Sequence, residues 1–175
     1  TLPAMHPTAS LLRDVPDFPE PGVVFKDITP MLDDAEAFGT VVRDLAAPFV
    51  DQGVTHVVGI ESRGFIMGAP VALALGAGFI PVRKPGKLPY TTVSQSYDLE
   101  YGSDTIEMHV DAVGPGDRVL IVDDVIATGG TASATLQLVR SRGAEVVGIA
   151  AYVELSFLNG RDHLDDVPIV TLVHV

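Results

Sequence analysis

The residues best equipped for chemistry in this chain are Asp123 and Asp124, which close the apolar run VLIV and lead into the turn IATGGTA. Two adjacent carboxylates followed by a Thr- and Gly-rich bend imply two binding tasks in one place. A strand–turn–helix with Gly129 and Gly130 at the bend lets backbone N–H groups converge on an anion at a helix N-terminus, where the helix dipole favours negative charge. Thr128 and Thr131 add hydroxyl donors. The carboxylates cannot themselves be anion ligands. Beside a phosphate they suit sugar hydroxyls, reached directly or through Mg2+ and its waters. An ordinary strand–helix turn with a threonine cap explains one Asp and one Thr, but not the whole DDVIATGGT string. The turn lacks the GK[ST] of a P-loop, so nucleoside-triphosphate hydrolysis of that type is not expected.

Two further polar groups follow apolar runs: Glu61-Ser62-Arg63, and Arg83-Lys84 with Lys87 close behind. Two of the three lysines in the chain stand in this second stretch, a local cationic patch suited to a diphosphate. It also reads as a solvated loop, the usual outcome of a charge run, and Arg63 taken alone reads as a surface charge opening a helix. The net charge of −12 opposes a broad basic face for nucleic acid or an anionic membrane. Phosphate recognition must therefore be local. The absence of cysteine excludes disulfides and thiolate metal sites and fits a reducing compartment. His56, His109, His163 and His174 have no metal-ligand spacing.

The elements that must position these groups alternate. Residues 1–10 read as a frayed tail without a signal-peptide pattern, and residues 11–14 as part of a short helix. Residues 35–52 carry helical apolar spacing at Phe38, Val41, Val42, Leu45 and Phe49, with Pro48 in the last turns. A strand at 56–60, a buried helix at 65–75 and a strand from Phe79 follow. The uncharged run 64–82 has the length of a membrane span, but Pro70, Gly76, Gly78 and Pro81 divide it into helix, turn and strand. A Gly/Pro/Ser-bearing loop over 84–103 precedes strands at 105–110 and 118–122, a helix at about 130–142, and strands at 145–153 and 168–175. Strands alternating with helices imply an α/β fold, a mostly parallel central sheet flanked by helices, with ligands beyond the carboxyl ends of the strands. The 175 residues suffice for one domain.

The stretch VLIVDDVIATGGTA resembles the signature of the type I phosphoribosyltransferases, which bind 5-phosphoribosyl-1-pyrophosphate. FPEPGVVFKDITPML, GIESRGFIMG, RKPGKLPY, YDLEYGSDTIEMH and YVELSFLNGRDHL are similar to the branch of that family that uses adenine, from about Phe18 onward. The resemblance implies transfer of the 5-phosphoribosyl group to adenine, giving AMP and pyrophosphate in purine salvage, by a cytoplasmic homodimer with Mg2+ as cofactor. It implies a small hood over residues 11–34 that contributes the base pocket, and a core over 35–175 with a flexible lid loop at 84–105. Ala127, Thr128, Gly129, Gly130 and Thr131 would cradle the 5′-phosphate, and Asp123 and Asp124 would face the ribose hydroxyls. Arg63 and the backbone of Ser62, in a loop that often carries a non-proline cis peptide in relatives, would hold the pyrophosphate together with Arg83, Lys84 and Lys87. Glu61 stands where relatives often have Asp.

Val24, Phe25 and Lys26 would form the adenine pocket, with backbone groups at Val24 and Lys26 reading the base edge and Phe25 stacking on it. Lys26 occupies a position where an arginine is common, and Phe25 read alone is equally a core residue. Glu100 would handle the proton on the base, and Tyr101 would help close a lid that excludes water; read alone, this segment is equally a hairpin turn with a charged tip. No dedicated protein cage for the metal is implied, only Asp123 or Asp124 through water. Two alternatives differ in class. A 6-oxopurine enzyme would use a lysine downstream of the phosphate turn, and this chain has none after Lys87. A regulator sensing phosphoribosyl pyrophosphate would carry a basic DNA-binding segment, which the N-terminal region does not resemble. Nucleic-acid and membrane partners are not expected.

Overall fold

A computed structural model describes residues 5–99, 102–164 and 167–175. In the central sheet β3 (His56–Ile60) and β4 (Gly78–Val82) form one edge, β7 (Arg118–Ile126) and β8 (Glu145–Glu154) the middle, and β9 (Ile169–His174) the far edge. The order is β4-β3-β7-β8-β9, with every pairing parallel. Parallel strands need crossovers, and α3 (Arg63–Leu75) and α4 (Gly130–Ser141) supply those after β3 and β7.

The pleat of β7 explains why its apolar run is continuous: Val119 and Ile121 enter the core on the α4 side, while Leu120 and Val122 enter the core shared by α2 (Ala35–Ala46) and α3. A strand covered on both faces has no reason to alternate polar with apolar. Helix α2 begins where the Asp34 carboxylate accepts the N–H groups of Glu36 and Ala37, both at 3.0 Å, and buries Ala37, Val41 and Leu45 on one stripe. The helix expected over 35–52 stops earlier, at Ala46: Pro48 does not sit in its last turns, and residues Ala47–Phe49 tighten into a 3-10 turn.

Two further segments differ from expectation. The short helix expected over 11–14 is instead the strand β1 (Arg13–Pro16), paired antiparallel with β2 (Val24–Asp27); cross-strand pairing overrides a weak local preference. The single loop expected over 84–103 contains β5 (Thr92–Asp98), which pairs antiparallel with β6 (Ser103–His109). The sequence of β5, TVSQSYD, turns Val93, Gln95 and Tyr97 to one side; one polar residue in three hides the alternation.

The expected tail also narrows. Residues Pro7–Leu11 form a 3-10 helix with Thr8 buried. Thr8 Oγ1 donates to Tyr152 Oη at 3.1 Å, and that phenol donates to the Thr8 carbonyl at 3.0 Å. Tyr152 is fully buried in the core beneath α2. A buried carbonyl deprived of its donor costs about 1–3 kcal/mol. Tyr152→Phe is therefore expected to lower the unfolding free energy by about that amount in a denaturant titration, and an unchanged midpoint would show that this clasp does not hold the N-terminal turn.

Candidate active site

In-register parallel pairing brings three strand ends to one level: Ile60 lies opposite Val82, and Gly59 opposite Val122. Glu61-Ser62-Arg63, Arg83-Lys84 and Asp123-Asp124 therefore leave the sheet side by side. They line a cavity of about 540 Å3 together with Val23, Val24, Phe25, Lys26, Tyr97, Ala127, Thr131 and Leu155. A smaller hollow of about 80 Å3 lies between Asp123 and Ala132, lined by Thr128, Gly129 and Gly130 among others.

The acidic pair is split by its surroundings. Asp124 is buried and accepts a hydrogen bond from Arg63 Nε at 2.5 Å. Asp123 accepts the Asp124 N–H at 2.8 Å, and burial together with the neighbouring Asp124 charge pushes its carboxyl well above the usual range. Arg63 can reach Asp124 because α3 starts hard against β7. A Cβ on Gly64 would lie 3.0 Å from Asp123 Oδ1 and 3.1 Å from the Val122 carbonyl. The peptide before this helix, Glu61–Ser62, is cis.

Arg63 has a second contact. Its guanidinium carbon lies 5.0 Å from the ring centroid of Phe25, above the face, and Phe18 meets Phe25 edge-on at 5.2 Å. Phe25 projects from β2, which pairs antiparallel with β1; Lys26 Nζ reaches back to Asp14 at 2.6 Å. The Lys26 side chain is thus engaged within the hairpin.

The cationic loop is organised by Glu61 and by two groups that the sequence did not connect to it, Asp104 and Tyr97. Glu61 accepts from Arg83 Nε and Nη2 at 3.3 and 3.2 Å and from the Lys84 N–H at 2.9 Å. Burial works against the Glu61 charge, but these bonds hold its pKa below the ordinary value. Lys84 pairs with Asp104; burial opposes its charge too, yet Asp104 and Tyr97 raise its pKa above the usual lysine range. Tyr97 Oη donates to Asp104 at 3.2 Å and accepts from Thr131 at 3.2 Å. This chain of bonds connects the cationic loop to the Thr/Gly turn at Thr131. Lys87 is exposed and does not line the cavity. Glu100 and Tyr101 lie outside the described residues.

Beyond β8 the chain carries one more buried charge. Glu154 is 6% exposed and accepts from Arg161 Nε at 2.8 and 2.9 Å, from Arg161 Nη2 at 2.6 Å and from Thr171 at 2.7 Å. Arg161 and Thr171 come from separate elements, and His174 Nδ1 lies 3.4 Å from the same carboxylate, so the motif is invisible at sequence spacing.

A parallel sheet with a Thr/Gly turn, paired carboxylates and a cationic loop at its carboxyl ends defines the type I phosphoribosyltransferase fold, and residues 29–167 match the phosphoribosyl transferase domain family. A Myxococcus xanthus adenine phosphoribosyltransferase is 59% identical over 93% of this chain and 88% of that protein. The crystal structure of the Rhodothermus marinus adenine phosphoribosyltransferase superposes with a TM-score of 0.92 at 59% identity, covering 95% of each chain. That of the Saccharomyces cerevisiae enzyme, complexed with an imino-altritol bisphosphate and adenine, has a TM-score of 0.88 at 40% identity over 94% of this chain and 95% of that one. The chain belongs to the adenine phosphoribosyltransferase family.

Arg161 is the first cause of the lowered Glu154 pKa, outweighing burial. A carboxylate favoured in its charged form adds stability above its ordinary pKa, and the addition is lost as pH falls through the lowered folded value. The gap in unfolding free energy between wild type and Glu154→Gln is therefore expected to be greatest near neutral pH. It should close as pH falls below the ordinary value of 4.5. Denaturation midpoints over that range check this, and a gap that widens on acidification contradicts it.

Proposed function

We propose that this chain transfers the 5-phosphoribosyl group of 5-phosphoribosyl-1-pyrophosphate to N9 of adenine, releasing AMP and pyrophosphate. The observation that carries the reading is one cavity in which Ala127 and Thr131 of the phosphate turn, the paired carboxylates, Arg83-Lys84 and Phe25 all meet. The new N9–C1′ bond replaces the bond from C1′ to the pyrophosphate oxygen, so the protein's tasks are positioning and charge stabilisation.

In this reading Ala127, Thr128, Gly129, Gly130 and Thr131 cradle the 5′-phosphate, and Asp123 and Asp124 face the ribose hydroxyls. Ser62, Arg63, Arg83, Lys84 and Lys87 take the pyrophosphate. Arg63 must then exchange Asp124 for pyrophosphate, which frees the carboxylate for the sugar and the Phe25 face for adenine. Val24 and Lys26 read the base through their main chain, consistent with a Lys26 side chain already bound to Asp14. Glu100 handles the proton on the base, and Tyr101 closes the lid. The hood over 11–34, the core over 35–175 and the lid at 84–105 are the functional divisions.

Mg2+ fits a site with two adjacent carboxylates and no grouping of three acidic or histidine ligands among the described residues. It would travel with the pyrophosphate and ribose hydroxyls, reach Asp123 or Asp124 through water, and neutralise charge on the leaving group. The homodimer rests on the outer face of α3, where Leu73 is 82% exposed and Ile66 42%. Cytoplasmic placement rests on the cysteine-free composition. No helix among the described residues is long and apolar enough to cross a membrane.

Incubation with Mg2+, phosphoribosyl pyrophosphate and each purine separately tests the reading. AMP from adenine is expected, without product from hypoxanthine, guanine or xanthine; binding without turnover on any base would favour the sensor. Asp124→Asn and Glu100→Gln are expected to lower turnover about 100-fold or more, the usual scale of acid–base and positioning losses, with circular dichroism unchanged. Phe25→Ala should raise the KM for adenine about 5- to 150-fold, the equivalent of about 1–3 kcal/mol of stacking. Wild-type kinetics in these variants would refute the residue roles.

A further inference from the structure

The phosphate turn does not stand alone. After β8 the chain folds through two short 3-10 turns, Ser156–Leu158 and Gly160–His163, separated by Asn159 in the left-handed region. This brings Gly160 directly behind the turn. A Cβ on Gly129 would lie 2.2 Å from the Gly160 carbonyl oxygen, and a Cβ on Gly160 would lie 2.3 Å from the Ala127 carbonyl oxygen and 3.0 Å from the Gly129 nitrogen. Both distances to oxygen are far inside van der Waals contact, and the atoms met are backbone, which cannot swing aside. Gly129 also needs its positive φ of 83°, whereas Gly160 has no such conformation and is required for space alone.

The next residue is the anchor. Arg161 is bound through two nitrogens to the buried Glu154 carboxylate and through Nη2 to Thr171 at 2.7 Å, fixing it to the end of β8 and the middle of β9. Leu164, fully buried, holds the other end of the segment.

We propose that Gly160, held by the Glu154–Arg161 pair, is a positioning element for donor binding: it sets the backbone of residues 127–129 at the spacing a phosphate requires. This rests on the reading of residues 127–131 as the phosphate turn. The brace touches neither substrate. It acts through the peptide planes of Ala127 and Gly129, whose N–H directions decide how well an anion is held. Its signature is a split between substrates, since the Phe25 face of the base pocket is built by another segment.

Gly160→Ala is expected to raise the KM for phosphoribosyl pyrophosphate, and the dissociation constant for ribose 5-phosphate by calorimetry, about tenfold or more. The KM for adenine should change less than about twofold, with the thermal transition still cooperative. Arg161→Lys keeps the charge but loses the two-point contact; it should shift the same constants in the same direction by a smaller factor, and it carries the test should Gly160→Ala fail to fold. Unchanged donor constants in the folded variant overturn the proposal, as does an equal rise in both KM values that tracks a lowered melting temperature. Ribose 5-phosphate binding separates this claim from the choice of base: wild-type binding lost in Gly160→Ala supports the brace even if adenine is not the acceptor. A wild type that does not bind ribose 5-phosphate defeats the brace and the phosphate turn together.

Discussion

The parallel register of β3, β4 and β7 is the constraint on which the rest of the site depends. Because Ile60 pairs with Val82 and Gly59 with Val122, residues far apart in the chain leave the sheet at one level. A shift of one residue would turn every side chain of a strand to the other face. The two apolar cores prevent that shift, since each face of β7 is packed against a different set of helices and strands. Fold stability and site geometry are thus maintained by the same contacts.

Electrostatics then determine how so acidic a chain handles an anionic donor. The cations at the strand ends are not left as a bare patch. Arg83 is held by Glu61, Lys84 by Asp104, and Arg63 by Asp124. Each pair keeps a flexible, charged side chain near its place of use without a ligand, and each is exposed enough for a ligand to compete. The partly exposed Lys84–Asp104 pair contributes little stability, whereas Asp124 is buried, so in the proposed exchange the ribose hydroxyls must offset its loss of Arg63. The proposed Arg63 exchange would be the most consequential, because the same side chain covers Phe25.

Much of this was legible in residue order. The continuous apolar strands and the Gly-rich bend after Asp123-Asp124 each have a local physical cause, and the structure places them as expected; the helix read over 35–52 stops at Ala46, ahead of Pro48. Less legible were features made by distance in sequence. Glu154 meets Arg161 and Thr171 from separate elements, Tyr97 joins Lys84 to Thr131 across the ribbon, and Gly160 is needed only because Ala127 and Gly129 lie against it. No periodicity encodes such contacts. The strand at Thr92–Asp98 went unseen because Gln95 interrupts its inward face, and the strand at Arg13–Pro16 because its partner lies across a loop.

The central claim is that one cavity at the strand ends holds phosphate, sugar and base in that order, with Arg63 leaving Asp124 as they enter. A crystal structure of the protein with AMP tests it most directly. The account predicts the 5′-phosphate against the backbone N–H groups of residues 127–131, the ribose hydroxyls toward Asp123 and Asp124, adenine on the face of Phe25, and Arg63 no longer bonded to Asp124. A phosphate seated elsewhere, or an Arg63–Asp124 pair intact beneath the bound nucleotide, would contradict it.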